Sequence, residues 1–211
     1  MNQILTKISE AMIRGQVADI RNHINKALEE NITPKTIVDK ALIATMADLG
    51  DKMSKNIVFI PEIMMAAMAM NSGLELLKPL MTSYDNEPIG RVIVGTVKGD
   101  SHDIGKNLVK IMLEGSGIEV LDLGANVDSM RFVKAVQEND IRIVCLSSLL
   151  TTTMPMLADV INKFEQAGIR SSVKVMIGGA PVTQDYADKI GADGYTDDAS
   201  RAAKLALSWL K

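Results

Sequence analysis

The stretch "RVIVGTVKGDSHDIGKNLVKIML" (residues 91–113) carries the change of pattern that decides the fold. Its first seven residues are a short β-branched run, the signature of a strand buried on both faces. "KGDSHD" then makes a polar turn, and from about Asp103 apolar residues return at helical spacing. One of only two histidines in the chain, His102, stands in that turn, just past the strand's carboxyl end. Parallel sheets bind ligands beyond their carboxyl ends, where strand order reverses, so topology already marks this turn.

Toward the carboxyl terminus the same alternation recurs. "EVLDLG" (119–124) precedes a helix from about Asp128, and "IRIVCLSS" (141–148) precedes one over about 155–166. "VKVMIGG" (173–179) leads to a helix over about 183–190, and "ADGYTDD" (192–198) to a terminal helix ending near Leu210. Five strands alternating with helices predict a parallel, Rossmann-like (flavodoxin-like) sheet with right-handed crossovers, covered on both faces.

Toward the amino terminus the period is helical throughout. Four amphipathic stretches fill residues 1–81, with Gly15 as a stop, Thr33 and Pro34 as N-cap and first helical residue, and Pro61 opening the fourth. They predict a small antiparallel four-helix bundle. "TSYDNEPIG" (82–90) reads as a linker. The expected domains are therefore 1–88, bundle with linker, and 89–211, α/β.

Composition narrows the function. A net charge of -3 and only 3% aromatic residues provide neither a basic stripe nor stacking rings, which excludes nucleic acid as a partner. The single cysteine, Cys145, rules out an internal disulfide and a cysteine-based zinc cage. No apolar run approaches the roughly 20 residues that span a bilayer, and the amino terminus has no signal-peptide pattern, so a cytoplasmic protein is expected.

The turn itself fails both phosphate templates. A P-loop ending at Gly105-Lys106 would need glycine where Asp100 stands and a hydroxyl where Asn107 stands. A G-x-G-x-x-G ending at Gly105 would need glycine at Asp100 and His102. What remains is Asp100-x-His102-x-x-Gly105. A carboxylate two residues from an imidazole can accept its N–H, fix the tautomer and leave the other nitrogen free. That serves a metal-bound histidine and a general base equally, and both readings stand at this point. A plain loop histidine, with Asp103 capping the next helix, is the bland one.

Two later strand ends add to the pattern: Ser147-Ser148-Leu149 and Gly178-Gly179. The ordered set D-x-H-x-x-G, S-x-L, G-G resembles the signature of cobalamin-binding domains. With the helical region "IPEIMMAAMAMNSGLELLKP" ahead of it, the chain resembles small corrinoid proteins of methyltransferase systems and the cap-plus-cobalamin module of methionine synthase. The resemblance implies cobalamin as cofactor, methylcobalamin in the loaded state, with its benzimidazole tail displaced and buried in the α/β domain. It implies His102 as lower axial ligand to cobalt, Asp100 as its proton acceptor and Thr153 as the next hydroxyl of that relay. Ser101, Asp103, Ile104, Gly105, Ser147, Leu149 and Thr151 would contact the cofactor, and Gly178 and Gly179 would let it approach the backbone. Phe59 and Met64 are the cap candidates for the upper corrin face.

Each element also has a plainer reading. Ser147 can bond its own backbone, and the glycine pair can be an ordinary turn. One of Thr151, Thr152 and Thr153 can cap the following helix. Cys145 reads as a buried structural thiol, His23 as a surface or boundary residue, and most of the 14 methionines as core filler.

The implied function is that of a methyl carrier rather than a complete enzyme. It would take a methyl group from a donor-specific substrate:corrinoid methyltransferase and pass it to a second methyltransferase acting on tetrahydrofolate or a similar acceptor. A reductive activase is the third implied partner. Methanol, methylamines, betaine and methoxylated aromatics all stand as donors. The alternatives are the small subunit of an adenosylcobalamin-dependent mutase, against which the long helical region counts, and a cobalamin-sensing module, which would need a DNA-binding element.

Overall fold

The computed structural model describes residues 2–81 and 87–210; residues 82–86, most of the expected linker, lie outside the described residues. The chain divides into two compact units, Met1–Pro88 with Gly115–Gly117, and Ile89–Glu114 with Ile118–Lys211.

The first unit is all helix. Helix α1 (Gln3–Ile13) is capped by Asn2, whose side chain accepts from the Ile4 N–H at 3.2 Å, and is followed by Gly15 at φ +66. Helix α2 (Val17–Glu29) leads to α3 (Pro34–Ile37), capped by Thr33 with Pro34 in the first turn. A π-helical segment (Val38–Ile43) then continues without a break into α4 (Ala44–Ser54). Helix α5 (Ile60–Leu77) follows, and a short 3-10 turn (Lys78–Leu80) ends the unit. The core is aliphatic: Ile8, Met12, Ile20, Ile24, Leu42, Met46, Ile63 and Leu77 are buried. The methionines split, with Met12, Met46 and Met70 inside while Met64, Met65 and Met68 on α5 are exposed.

The second unit is a five-stranded parallel sheet in the order β2-β1-β3-β4-β5. Its strands are β1 (Arg91–Thr96), β2 (Glu119–Asp122), β3 (Ile143–Ser147), β4 (Lys174–Gly178) and the two-residue β5 (Gly194–Tyr195). Between and after them run α6 (Ile104–Gly115), α7 (Ser129–Asn139), α8 (Pro155–Gln166), α9 (Gln184–Ile190) and α10 (Ala199–Leu210). Residues 92–96 of β1 are all buried, because helices cover both faces. Gly95 exists for packing: a Cβ there would meet the Phe132 ring at 2.7 Å.

Register fixes where the ends of the strands meet. Thr96 lies opposite Ser147, and Ser147 opposite Gly178, so β1, β3 and β4 finish in one row. Strand order reverses between β1 and β3, and the loops leaving those two strands therefore start side by side at the crevice.

Candidate functional site

The loop after β1 is fastened at several points. Thr96 Oγ1 donates to the His102 carbonyl at 2.9 Å, and the Asp100 N–H donates to the Val97 carbonyl at 3.2 Å. Asn126, from the loop after β2, accepts from the Gly99 N–H at 2.8 Å and donates its own N–H to the Asp100 carbonyl at 2.9 Å. Gly99 takes φ +84 here, a conformation that favours glycine.

Asp100 has no exposed surface, and its carboxylate is surrounded by donors. Oδ1 accepts from the His102 backbone N–H at 3.0 Å and faces His102 Nδ1 at 2.8 Å. Oδ2 accepts from the Leu149 N–H at 2.7 Å, the Leu150 N–H at 3.3 Å and Thr153 Oγ1 at 3.1 Å. Burial alone would raise its pKa. The bonds from His102, Leu149 and Thr153 outweigh that and hold the carboxyl well below the usual range. Asp100 is therefore an ionised acceptor, which places the ring proton of His102 on Nδ1 and leaves the Nε2 lone pair free.

The His102 side chain is 49% exposed, so that lone pair is accessible. On the same two loops three large apolar side chains, Ile104, Leu149 and Leu150, are exposed. Gly105, in the first turn of α6, has nothing within 4 Å of where a Cβ would stand, so the protein's own packing does not require a glycine. No group of three or more His, Cys, Asp or Glu side chains that could hold a metal occurs among the described residues. A bare ion needs three or four protein ligands. One aimed imidazole near exposed apolar side chains instead fits a metal that brings most of its own ligands in a flat organic ring.

The other predicted residues fall on the same end of the sheet. Ser147 closes β3, and Leu149 follows it with its N–H on Asp100. Ser101 and Asp103 are exposed beside His102; the Asp103 carboxylate accepts from Asn107 Nδ2 at 3.0 Å. Gly179 adopts φ +132, and a Cβ on it would overlap the Ser148 carbonyl, so the protein backbone itself demands this glycine. A Cβ on Gly178 would only touch the Thr196 carbonyl, at 3.4 Å. Thr151 and Thr152 are exposed in the turn before α8. None of the three threonines caps that helix: its N-cap is Met154, without a side-chain bond, because Thr153 is turned toward Asp100. Phe59 and Met64 belong to the helical unit, 62% and 51% exposed.

Two features escaped the sequence reading. Ser148 is fully buried with its hydroxyl 2.8 Å from that of Thr153. Lys106, the residue of the failed P-loop template, is buried and bonds both oxygens of Asp122 at 2.7 Å, so it pins the start of α6 to the end of β2. Its signal was the acidic residue at the end of "EVLD". A cleft of about 440 Å³ lined by Arg91, Arg142, Lys174 and Trp209 opens at the amino ends of the strands. Its cations are already paired, Arg91 with Glu119, Arg142 with Asp140 and Lys174 with Asp193, so it lacks the free donor that His102 offers.

Comparison with known proteins shows the family. Two family models described as "B12 binding domain" match residues 4–78 and 90–204. A dimethylamine corrinoid protein of Methanosarcina acetivorans is 42% identical, covering 99% of this chain and 98% of its own. A trimethylamine corrinoid protein of Methanosarcina barkeri is 39% identical, with 98% and 97% covered. Among solved structures, a cobalamin-binding protein from Desulfitobacterium hafniense superposes with a TM-score of 0.81 at 29% identity, covering 97% of this chain and 98% of that one. A methanol:cobalamin methyltransferase complex from Methanosarcina barkeri gives 0.88 at 29% identity, covering 99% of this chain and 80% of that one. No described helix is long and apolar enough to cross a membrane.

Proposed function

This chain belongs to the family of B12-binding corrinoid proteins, and from that premise we propose that it carries methyl groups between two methyltransferases, with a methylated amine as the source. The names of its relatives support the amine as donor; tetrahydrofolate or a similar one-carbon nucleophile is the proposed acceptor, and a reductive activase the third partner.

A bound cobalamin supplies a cobalt centre that can take up a methyl group and release it. The chain's own residues do the rest. His102 would hold the metal through Nε2, and Asp100 keeps the ring proton on the far nitrogen, Nδ1, so that Nε2 stays available. Thr153 donates to Asp100 and holds the carboxylate in that orientation. Ile104, Leu149 and Gly105 would offer the ring an open, apolar surface, and Ser101, Asp103, Ser147, Thr151, Gly178 and Gly179 would contact the cofactor. Phe59 and Met64 are proposed to shield the bound methyl group from water. The chain is proposed to act with these methyltransferase partners rather than alone.

The observation that carries this reading is the half-exposed imidazole held by a buried, ionised carboxylate, with no group of three or more metal-binding side chains among the described residues. Its test is the visible spectrum of the protein loaded with cobalamin. His102→Ala is expected to change that spectrum while most of the cofactor stays bound. Identical spectra for the two proteins would remove His102 from the metal.

A further inference from the structure

We infer that Ser148 is a positioning residue for the axial histidine: its buried hydroxyl directs the Thr153 proton toward Asp100. This rests on the reading of His102 as the cobalt ligand, and adds a residue that the family pattern leaves as the variable position of S-x-L.

The geometry poses a problem of one proton and three neighbours. Thr153 Oγ1 lies 3.1 Å from Asp100 Oδ2, 2.9 Å from the Leu150 carbonyl and 2.8 Å from Ser148 Oγ. The first two can only accept, and the carbonyl is the nearer. Left alone, the Thr153 hydroxyl divides between the nearer carbonyl and the more strongly accepting carboxylate. Ser148 removes the ambiguity. Its own proton can go to Thr153 Oγ1 at 2.8 Å or to the Leu150 carbonyl at 3.3 Å. The first excludes donation from Thr153 back to Ser148 and polarises the Thr153 O–H toward the ionised Asp100, the cooperative strengthening expected of a hydroxyl chain. The second occupies the competing carbonyl. In the second arrangement Ser148 Oγ stays open to the Thr153 proton, so the first, over the shorter distance, is the one that directs that proton to Asp100.

Ser148 can do this because its backbone is clamped. Its N–H donates to the Gly178 carbonyl at 3.1 Å, and Gly179 at φ +132 leaves no room for a Cβ over the Ser148 carbonyl. The glycine corner after β4 thus ends a continuous path: Gly178, Ser148, Thr153, Asp100, His102. Two of its links cross between strand-end loops, Gly178 to Ser148 and Thr153 to Asp100, and the last sets the tautomer of the imidazole.

The test is a mutant cycle on the full-length protein without cofactor, labelled with 15N-histidine. The ratio of Nδ1–H to Nε2–H tautomers of His102 is read from its nitrogen shifts, about two pH units above the ordinary histidine value. One neutral hydrogen bond corresponds to a roughly two- to tenfold change in such a ratio. Ser148→Ala is expected to raise the Nε2–H fraction by that factor in the native protein and in Thr153→Ser, which keeps the hydroxyl. In Thr153→Val it should have no further effect. A ratio that Ser148→Ala leaves unchanged, or an equal effect of Ser148→Ala with and without the threonine hydroxyl, overturns the proposal. The axial reading is tested separately. In the loaded, one-electron-reduced protein, 15N-histidine should alter the nitrogen splitting of the cobalt EPR signal. An unaltered signal rejects cobalt ligation and leaves the tautomer cycle to stand or fall by itself.

Discussion

Asp100→Asn tests the centre of the site in one substitution. The shape is kept, but one acceptor oxygen becomes an NH2 group, and every neighbour of this carboxylate is a donor. The amide does best with its oxygen toward Leu149, Leu150 and Thr153. Its NH2 then faces the His102 backbone N–H, which loses its acceptor, and Nδ1, which can accept only if the ring proton moves to Nε2. An orphaned N–H costs about 1–3 kcal/mol, and the remaining bonds fall from charge-assisted to neutral strength, so a total loss of about 3 kcal/mol is expected. Urea unfolding followed by the fluorescence of Trp209, the single tryptophan, measures it. The pH dependence has a definite sign. The folded pKa of Asp100 lies below its ordinary value, so its stabilisation is complete above the unfolded pKa and disappears as pH falls toward the folded one. The gap between native protein and variant should be constant from about pH 5 upward and should close below about pH 4. A gap under about 1 kcal/mol at neutral pH, or one that persists unchanged into acid, would refute the ionised, fully bonded carboxylate. The same variant should bind cobalamin without the spectral signature of histidine ligation, because Nε2 now carries the proton.

Further outcomes follow from single atoms. Gly105→Ala meets open space at a helical position, so the cofactor-free protein should gain about 0.5–1 kcal/mol. Its cobalamin affinity should fall; unchanged affinity in a titration would move the ring away from Gly105. Gly179→Ala forces a Cβ onto the Ser148 carbonyl at φ +132, and a loss of 3 kcal/mol or more is expected by thermal unfolding; a loss below 1 kcal/mol would contradict the clamp. The Cys145 thiol is buried in β3, and burial pushes its pKa up to about 12. It should stay unmodified by a thiol reagent at pH 8 until urea unfolds the sheet; prompt labelling of the native protein would place it elsewhere.

The sheet was readable because strands buried on both faces are unbroken apolar runs, and each of "RVIVGT", "IVCLS" and "KVMIG" is one. The D-x-H turn was readable because the residues that would make it a phosphate loop are replaced by Asp100 and His102. Ser148 was not, since its role arises only when residues 150–153 fold back beneath the loop after β1, which no local pattern states. The threonine turn misled for a related reason: Ser/Thr ahead of proline usually means a cap, but a buried carboxylate from another strand claimed Thr153. The π segment left a trace that was missed. Buried pairs recur at 37/38, 41/42, 45/46 and 49/50, strictly every four residues. A regular α-helix would let that stripe drift by about 40° per step, and the wider π turn takes up the excess.

That widened turn gives the helical unit a tolerance its other helices lack. A π segment holds one residue more than the α-helical turn it replaces, while both flanks keep the phase they would have without it. Asp39 and Lys40 point outward within it, so losing either one would tighten the turn to ordinary α geometry and leave Ile37 on one side and Met46 on the other facing inward as before. The same deletion among residues 45–50 would swing everything beyond it about 100° off the core. Within this helix, then, the π segment is a natural seam at which one residue can be lost without rebuilding what the helix packs against.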